Sequence, residues 1–257
     1  MKILCIGDIV ARPGRDIVFS YLDSRRYDYD LIIANGENAA HGRGITMPVY
    51  EELKRAGIDA VTMGNHTWGC GDGAKVLEYN DDIIRPLNFD KGCPGEGSMV
   101  IKARNGVNVG IINLIGRVYM QPADSPFTMV EAEIEKLKKK TDIIIVDFHA
   151  EATSEKIAMG FFLDSKVSAV FGTHTHVQTA DERILPGGTG YMTDLGMTGV
   201  INSVLGMDKD IIVKKFLNNM PSKFEVAQGK SRLCGCIFEI DEKTAKTVSV
   251  ERICYTE

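Results

Sequence analysis

Five apolar, β-prone runs in this chain each end on side chains that carry charge or can ligate a cation, and that pattern limits the folds open to it. Asp8 follows the run Lys2–Ile6, Glu37 and Asn38 follow Asp30–Ala34, and Asn65 and His66 follow Ala60–Met63. His149 ends the run from Ile143, and Gly172-Thr173-His174-Thr175-His176 follows Ala169–Phe171. A sheet that aligns the carboxyl ends of its strands gathers all of these groups on one edge, where open α/β sheets hold their ligands. Singly, each has a bland explanation. Asp8 could cap the next turn, Glu37–Asn38 and Asn65–His66 could be ordinary turns, and His149 could be a satisfied core histidine. A lone His-x-His is a weak ligand signal. Coincidence at all five ends is the poorer account, and a metal site is the expectation.

Helix-like segments separate the runs. Pro13–Leu22 reads as a helix opened by Pro-Gly. Thr46 reads as the N-cap of a helix through Ala56, with Pro48 in its first turn and Gly57 at its end. Val107–Ile115 is a further strand. A helix near Phe127–Lys140 has a Glu-rich start and a Lys-rich end, which suits the helix dipole. The run Glu135–Lys140 therefore reads as a solvated helix end rather than a nucleic-acid patch. Helices are expected around Ser154–Leu163 and Lys209–Asn218, and Gly172 is expected to let the backbone turn tightly before the His-x-His pair. The chain closes with antiparallel strands, Arg232–Ile240 and Thr247–Cys254, joined at Asp241-Glu242-Lys243. This is an α/β pattern that becomes β-richer at its end. A single domain over residues 1–257 is expected, with a small cap or lid within about 69–106, around the Gly/Pro-rich stretch Pro86–Gly97.

Bulk properties narrow the partners. A chain of 257 residues can bury a substantial core, and 44% hydrophobic with 25% charged residues is ordinary globular composition. The net charge of −5 leaves no basic footprint for a nucleic-acid backbone, so long RNA is not favoured. A nucleotide substrate stays open, because a metal supplies local positive charge. The stretch Met1–Asp8 is too soon interrupted for a signal peptide, and no apolar run approaches the ~18 residues of a membrane helix. A cytoplasmic protein without a membrane partner is expected. The six cysteines form no C-x-x-C pair and read as reduced thiols.

The order of these motifs resembles that of the calcineurin-like metallophosphoesterases: an Asp after the first strand, an acidic Gly-Asp motif, Gly-Asn-His, a solitary His, then Gly-His-x-His. Two positions depart from that pattern. The family's second ligand in its first motif, a His two residues after the Asp, is Val10 here, and its second-motif Asp is Glu37, followed by Asn38. Both departures are similar to one branch, the bacterial YmdB-type cyclic-nucleotide phosphodiesterases. The stretches Ile6-Gly7-Asp8-Ile9-Val10, Asn35-Gly36-Glu37-Asn38-Ala39-Ala40-His41-Gly42, Met63-Gly64-Asn65-His66-Thr67-Trp68, Asp147-Phe148-His149-Ala150-Glu151 and Gly172–Asp181 carry the likeness, with Thr193–Gly199 near the end.

The resemblance implies a metallophosphoesterase sandwich, central β-sheets flanked by helices, with the metals at strand C-termini. It implies that Asp8, Glu37, Asn38 and His176 hold one metal, Asn38 standing in for the missing histidine. Glu37 would bridge to a second metal completed by Asn65, His149 and His174. Such oxygen and imidazole donors suit Fe or Mn, and Zn would also bind; the absence of nearby cysteine disfavours an iron–sulfur cluster. Hydroxide formed between the metals would attack phosphorus, with His66 as proton donor to the leaving alkoxide or, alternatively, as a group that orients Asn65. The implied substrates are 2′,3′-cyclic and also 3′,5′-cyclic mononucleotides. A phosphomonoesterase or nuclease on the same centre, or a non-enzymatic metal-stabilised regulatory protein, are the other readings, and a homo-oligomer is compatible with all of them. His41 is either a substrate contact or an exposed loop residue. Arg12, Arg15 and Arg117 are candidates for phosphate contact, although surface salt bridges are the commoner fate. Trp68 either packs around the site or stacks on a base, and Asp194 either supports a ligand or caps a turn.

Overall fold

Side chains along each strand alternate between two environments, and the alternation sets the layers. The structure, a computed structural model, describes residues 1–256. The first half runs β1 (Lys2–Ile6), β2 (Asp8–Ile9), α1 (Ala11–Arg25), β3 (Leu31–Asn35), α2 (Met47–Ala56), β4 (Ala60–Thr62), α3 (Gly73–Tyr79), β5 (Ile83–Ile84), β6 (Ser98–Lys102) and β7 (Asn108–Ile115). The second runs α4 (Pro126–Leu137), β8 (Ile144–His149), α5 (Thr153–Leu163), β9 (Ala169–Thr173), β10 (Arg183–Ile184), β11 (Gly190–Met192), β12 (Met197–Val200), α6 (Lys209–Asn218), β13 (Ser231–Ile240) and β14 (Thr247–Thr256).

These strands make two sheets. One has the order β2-β12-β13-β1-β3-β4-β5, with β14 also paired to β13, and the other has the order β10-β11-β9-β8-β7-β6. β1, β3, β4 and β5 are parallel, as are β7, β8, β9 and β11. The sheets face each other across one core in which Ile3, Cys5 and Ile33 of the first meet Ile111, Ile145 and Phe171 of the second. Leu4, Ile6 and Ile32 point the other way, onto Ile17 and Val18 of α1 and Leu53 of α2. In the second sheet Ile112, Ile144 and Val146 face Val130 and Ile134 of α4 and Met159 of α5. Parallel strands covered on both faces read as continuous apolar runs, which is why these strands stand out in the sequence. The result is the α/β sandwich with helices on both outer faces.

Local chemistry places the element ends. Pro sits in the first turn of α2, and Gly57 closes that helix at φ 104°. Asp208 caps α6 by accepting from the amides of Asp210 and Ile211. The β13–β14 turn forms at Asp241, whose Oδ1 accepts from the amides of Lys243 and Thr244 at 2.9 Å. Two expectations need correction. Helix α4 has no acidic residue in its first turn, because it starts at Pro126 and its first glutamate lies a turn further on. It also ends at Leu137, so Lys138, Lys139 and Lys140 lie exposed beyond it. Within residues 69–106 the chain forms α3, β5 and β6, and the last two add edge strands to the two sheets.

Ile145, fully buried at the centre of the inter-sheet core, tests this packing. Ile145→Ala is expected to cost about 2–5 kcal/mol, read as a lower urea midpoint with unchanged m-value.

Candidate metal centre

The carboxyl ends of strands from both sheets converge, and each delivers its polar residues through a short, specific turn. Asp8 opens β2, which pairs parallel with β12. The Asn35 side chain ends β3 by accepting the Glu37 amide at 3.1 Å, which bends the chain so that Glu37 and Asn38 leave the sheet together. After β4, both the amide (3.1 Å) and the hydroxyl (2.6 Å) of Thr67 return to the Gly64 carbonyl, forming the turn that carries Asn65 and His66. A side chain at Gly64 would overlap the His149 ring and the Glu37 carboxylate. His149 is the last residue of β8.

The His174–His176 turn forms differently from the expectation. Gly172 lies inside β9 and has no positive φ; its lack of a side chain instead admits the Thr193 carbonyl. The turn is made by His174 at φ 100° and His176 at φ 64°, both in the left-handed region. Each such non-glycine residue costs roughly 1–2 kcal/mol, so something must hold it. The His174 amide donates to Asp8 Oδ2 at 3.1 Å. Asp194 Oδ2 accepts the Thr175 amide at 3.2 Å, its hydroxyl at 2.7 Å and the buried Lys156 ammonium at 2.5 Å. Asp194 thus supports the turn that carries His174 and His176, and its Oδ1 also accepts the Gly196 amide.

The donor atoms fall into two groups. Around His149 Nε2 lie Asn65 Oδ1 at 2.9 Å, Glu37 Oε1 at 3.1 Å and His174 Nδ1 at 3.1 Å. Around His176 Nε2 lie Asn38 Oδ1 at 3.2 Å and Asp8 Oδ1 at 3.8 Å. Asn38 aims its oxygen inward because its amide nitrogen donates to the Gly42 carbonyl. Asp8 Oδ1 is buried with no hydrogen-bond partner, an arrangement that costs free energy unless a cation completes it.

The rings are oriented from behind. His149 Nδ1 faces the Thr173 hydroxyl at 2.9 Å, and that hydroxyl donates onward to Asp147 Oδ1 at 2.8 Å. Asp147 Oδ2 accepts the Thr62 hydroxyl from the other sheet at 2.5 Å. His174 Nε2 lies 3.0 Å from Glu151 Oε2. Each imidazole therefore has one nitrogen engaged with the protein and the other turned into the cluster, the arrangement found behind metal-ligating histidines. Sequence reasoning missed Asp147, Thr173, Thr62, Lys156 and Glu151. Asp147 lies two residues before His149 on the same strand face, a signal that could have found it.

The electrostatics express the same demand for positive charge. Burial pushes the His149 imidazole down, but the Glu37 carboxylate beside it, with Asp8 and Asp147, raises it to about 9. Burial likewise pushes Glu37 up, while His149 pulls it down to about 2. His174 is pushed down to about 3 by burial and by His149. Burial raises the Asp8 carboxyl against the pull of His176 and His149. Burial also raises Asp147, to about 6. A proton on His149 offsets part of the negative charge of Glu37 and Asp8. Lone pairs on carboxylate, amide and imidazole that face one another with no thiolate among them fit hard or borderline divalent metals.

Other predicted residues lie at or beyond the rim. The His66 amide donates to Glu37 Oε2 at 2.8 Å, and its half-buried ring lies beside Asn65. His41 is exposed at φ 55° in the turn after Asn38. Arg12 pairs with Asp16 on the surface; Arg15 pairs with Glu52 at 3.0 Å and donates to the Ala39 carbonyl. Arg117 is exposed, and its backbone amide donates to Glu155.

Two packed sheets that bring carboxylate, amide and imidazole together at strand carboxyl ends are the architecture of the calcineurin-like phosphoesterases. The chain belongs to the YmdB-like protein family, whose model matches residues 4–253. It is 50% identical over 258 residues to a Bacillus subtilis (strain 168) protein named 2′,3′-cyclic-nucleotide 2′-phosphodiesterase, covering 98% of this chain and 96% of that one. Its structure is similar to the crystal structure of a hypothetical protein from Thermus thermophilus, with TM-score 0.95, 40% identity and all of both chains covered. It is also similar to a novel phosphatase from Mycoplasma pneumoniae, with TM-score 0.92 and 39% identity over 100% of this chain and 94% of that one.

Asp194→Ala strands the buried Lys156 ammonium and releases Thr175, so a loss of about 3–5 kcal/mol is expected from urea denaturation. Adding Lys156→Met should return part of that loss; a strictly additive double variant would show that the ion pair does not couple the two residues.

Proposed function

We propose that this chain is a metal-dependent phosphodiesterase of small cyclic nucleotides, acting on 2′,3′-cyclic and also 3′,5′-cyclic monophosphates. The observation that carries the reading is the pair of inward-facing donor groups around His149 Nε2 and His176 Nε2. In this reading Asp8, Glu37, Asn38 and His176 would hold one metal, and Glu37 with Asn65, His149 and His174 would hold a second. The name of the Bacillus subtilis relative supports the substrate class. Fe or Mn suits the donor set best, and Zn also fits it.

Two divalent cations held there would supply Lewis acidity for activating water and for neutralising phosphate oxygens. The protein's own groups do the rest. Thr173 and Glu151 hold the rings of His149 and His174 so that their free nitrogens face inward. Asp194 and Asp8 hold the strained turn that aims His174 and His176. His66 stands beside the cluster without being one of its donors, and it delivers the proton to the ribose oxygen as the ester bond breaks. Burial lowers the free His66 imidazole below its ordinary value; an anionic phosphate beside it raises it again and keeps the proton available.

Metal analysis and an assay on 2′,3′- and 3′,5′-cyclic nucleotides, a phosphate monoester and RNA test the reading together. Cyclic diesters should be cleaved far faster than the others, and chelation should abolish turnover until Mn or Fe is restored. A protein that holds two metals and hydrolyses none of them would be a regulatory protein instead. His66→Ala should keep its metals while turnover falls by about 10²–10⁴-fold; loss of metal with the ring would make His66 a positioning residue. His174→Ala should lower both metal content and activity, and retention of two metals would refute the ligand set.

A further inference from the structure

Beside the turn that carries His66 lies a cavity of about 490 Å³ whose walls include Trp68, Phe89, Asp90, Gln121, Pro122 and Asp124. We propose that it is the subsite for the nucleobase of the substrate, with the base stacked on Trp68. The proposal rests on the phosphoester reading of the adjoining centre and adds to it the group that the protein recognises.

Both walls are built from segments that also carry the centre. Trp68 belongs to the Gly64–Trp68 turn of Asn65 and His66. The opposite wall, residues 121–124, is tied through the fully buried Asn88. Its amide donates to the Ile115 carbonyl at 2.8 Å and the Asp124 carbonyl at 2.9 Å, and it accepts the Ile115 amide at 2.9 Å. The next residue, Gly116, donates its amide to the His149 carbonyl at 2.9 Å. The cavity is thus anchored to the strand ends that place His149 and to the turn that carries His66.

Its chemistry selects the base end of a mononucleotide. Trp68 is 39% exposed, and beside it the buried Phe89 ring lies 6.4 Å away, packed against the indole. An exposed indole is a stacking platform. The carboxylates of Asp90 and Asp124 repel phosphate, so the anionic end is directed to the cluster and the neutral base to the cavity. Those carboxylates and the Gln121 amide accept N–H groups from the base edge, which favours amino-bearing bases such as adenine. The volume lies within the roughly 300–1,000 Å³ of small-molecule sites.

Trp68 is the single tryptophan of the chain, so its fluorescence reports the subsite directly and without turnover. Metal-loaded protein titrated with 3′-AMP should show saturable quenching, and ribose 5-phosphate should not; no change with 3′-AMP, or equal change with both, would overturn the proposal. Kinetics give an independent measure. Wild type should prefer 2′,3′-cyclic AMP over base-free ribose 2′,3′-cyclic phosphate, and Trp68→Ala should shrink that ratio of kcat/KM by roughly tenfold or more. Trp68→Phe should restore part of it, and a ratio unchanged in Trp68→Ala would refute the stacking role. If neither diester is cleaved the phosphodiesterase reading falls, while the fluorescence titration still decides whether a base binds beside Trp68.

Discussion

The two sheets meet over an apolar core, but at their carboxyl edge the seam is closed by a buried carboxylate. Asp147 of the second sheet accepts hydroxyls from Thr173 beside it and from Thr62 of the first sheet. An ionised carboxylate in such a place is costly unless hydrogen-bonded, so the two hydroxyls fix where the sheets can sit relative to each other. Through Thr173 the same seam sets the His149 ring, whose inward nitrogen meets Asn65 and Glu37 from the first sheet and His174 from the second. Register between the sheets and geometry of the candidate centre are therefore one constraint.

That constraint carries an electrostatic consequence. The buried Asp8 oxygen without a partner, the Glu37 carboxylate and the inward amide and imidazole lone pairs are held together against their mutual repulsion. A charged His149 relieves part of it. A protein built only for stability would fill this space with apolar side chains, since buried charge contributes little to stability even when paired. The arrangement makes sense as a scaffold prepared for cations, with its unfavourable terms offset by the surrounding core and by binding.

Much of the fold was legible because the strongest signals in the sequence are also the strongest physical ones. β1, β3, β8 and β9 are covered on both faces and appear as continuous apolar runs. The ends of α6 coincide with the expected Lys209–Asn218 because Asp208 caps it and Asn219 takes a left-handed conformation after it. The short β2, β5 and β10 were not legible, since two residues carry no periodicity and are strands only through their neighbours. The polar groups at the strand ends were legible as a set, and the structure gathers Asp8, Glu37, Asn38, Asn65, His149, His174 and His176. Their support was not, because Lys156, Glu151 and Thr62 lie far along the chain or on other elements, and sequence spacing does not reveal tertiary hydrogen bonds.

At Gly172 the expectation of a turn made by the glycine fails. A glycine before His-x-His suggested a tight turn, yet the left-handed residues are the histidines themselves. Strain placed on the imidazole-bearing residues, rather than on a glycine, couples ring direction to backbone conformation. It also makes the geometry depend on distant partners, Asp8 on one side and the Lys156–Asp194 pair on the other. Local strain that the surroundings overdetermine is typical of functional sites, and here it has a definite use. Freeing His174 or His176 to relax would turn its ring nitrogen away from the cluster, so the elements that enforce the turn belong to the centre as much as the donors do.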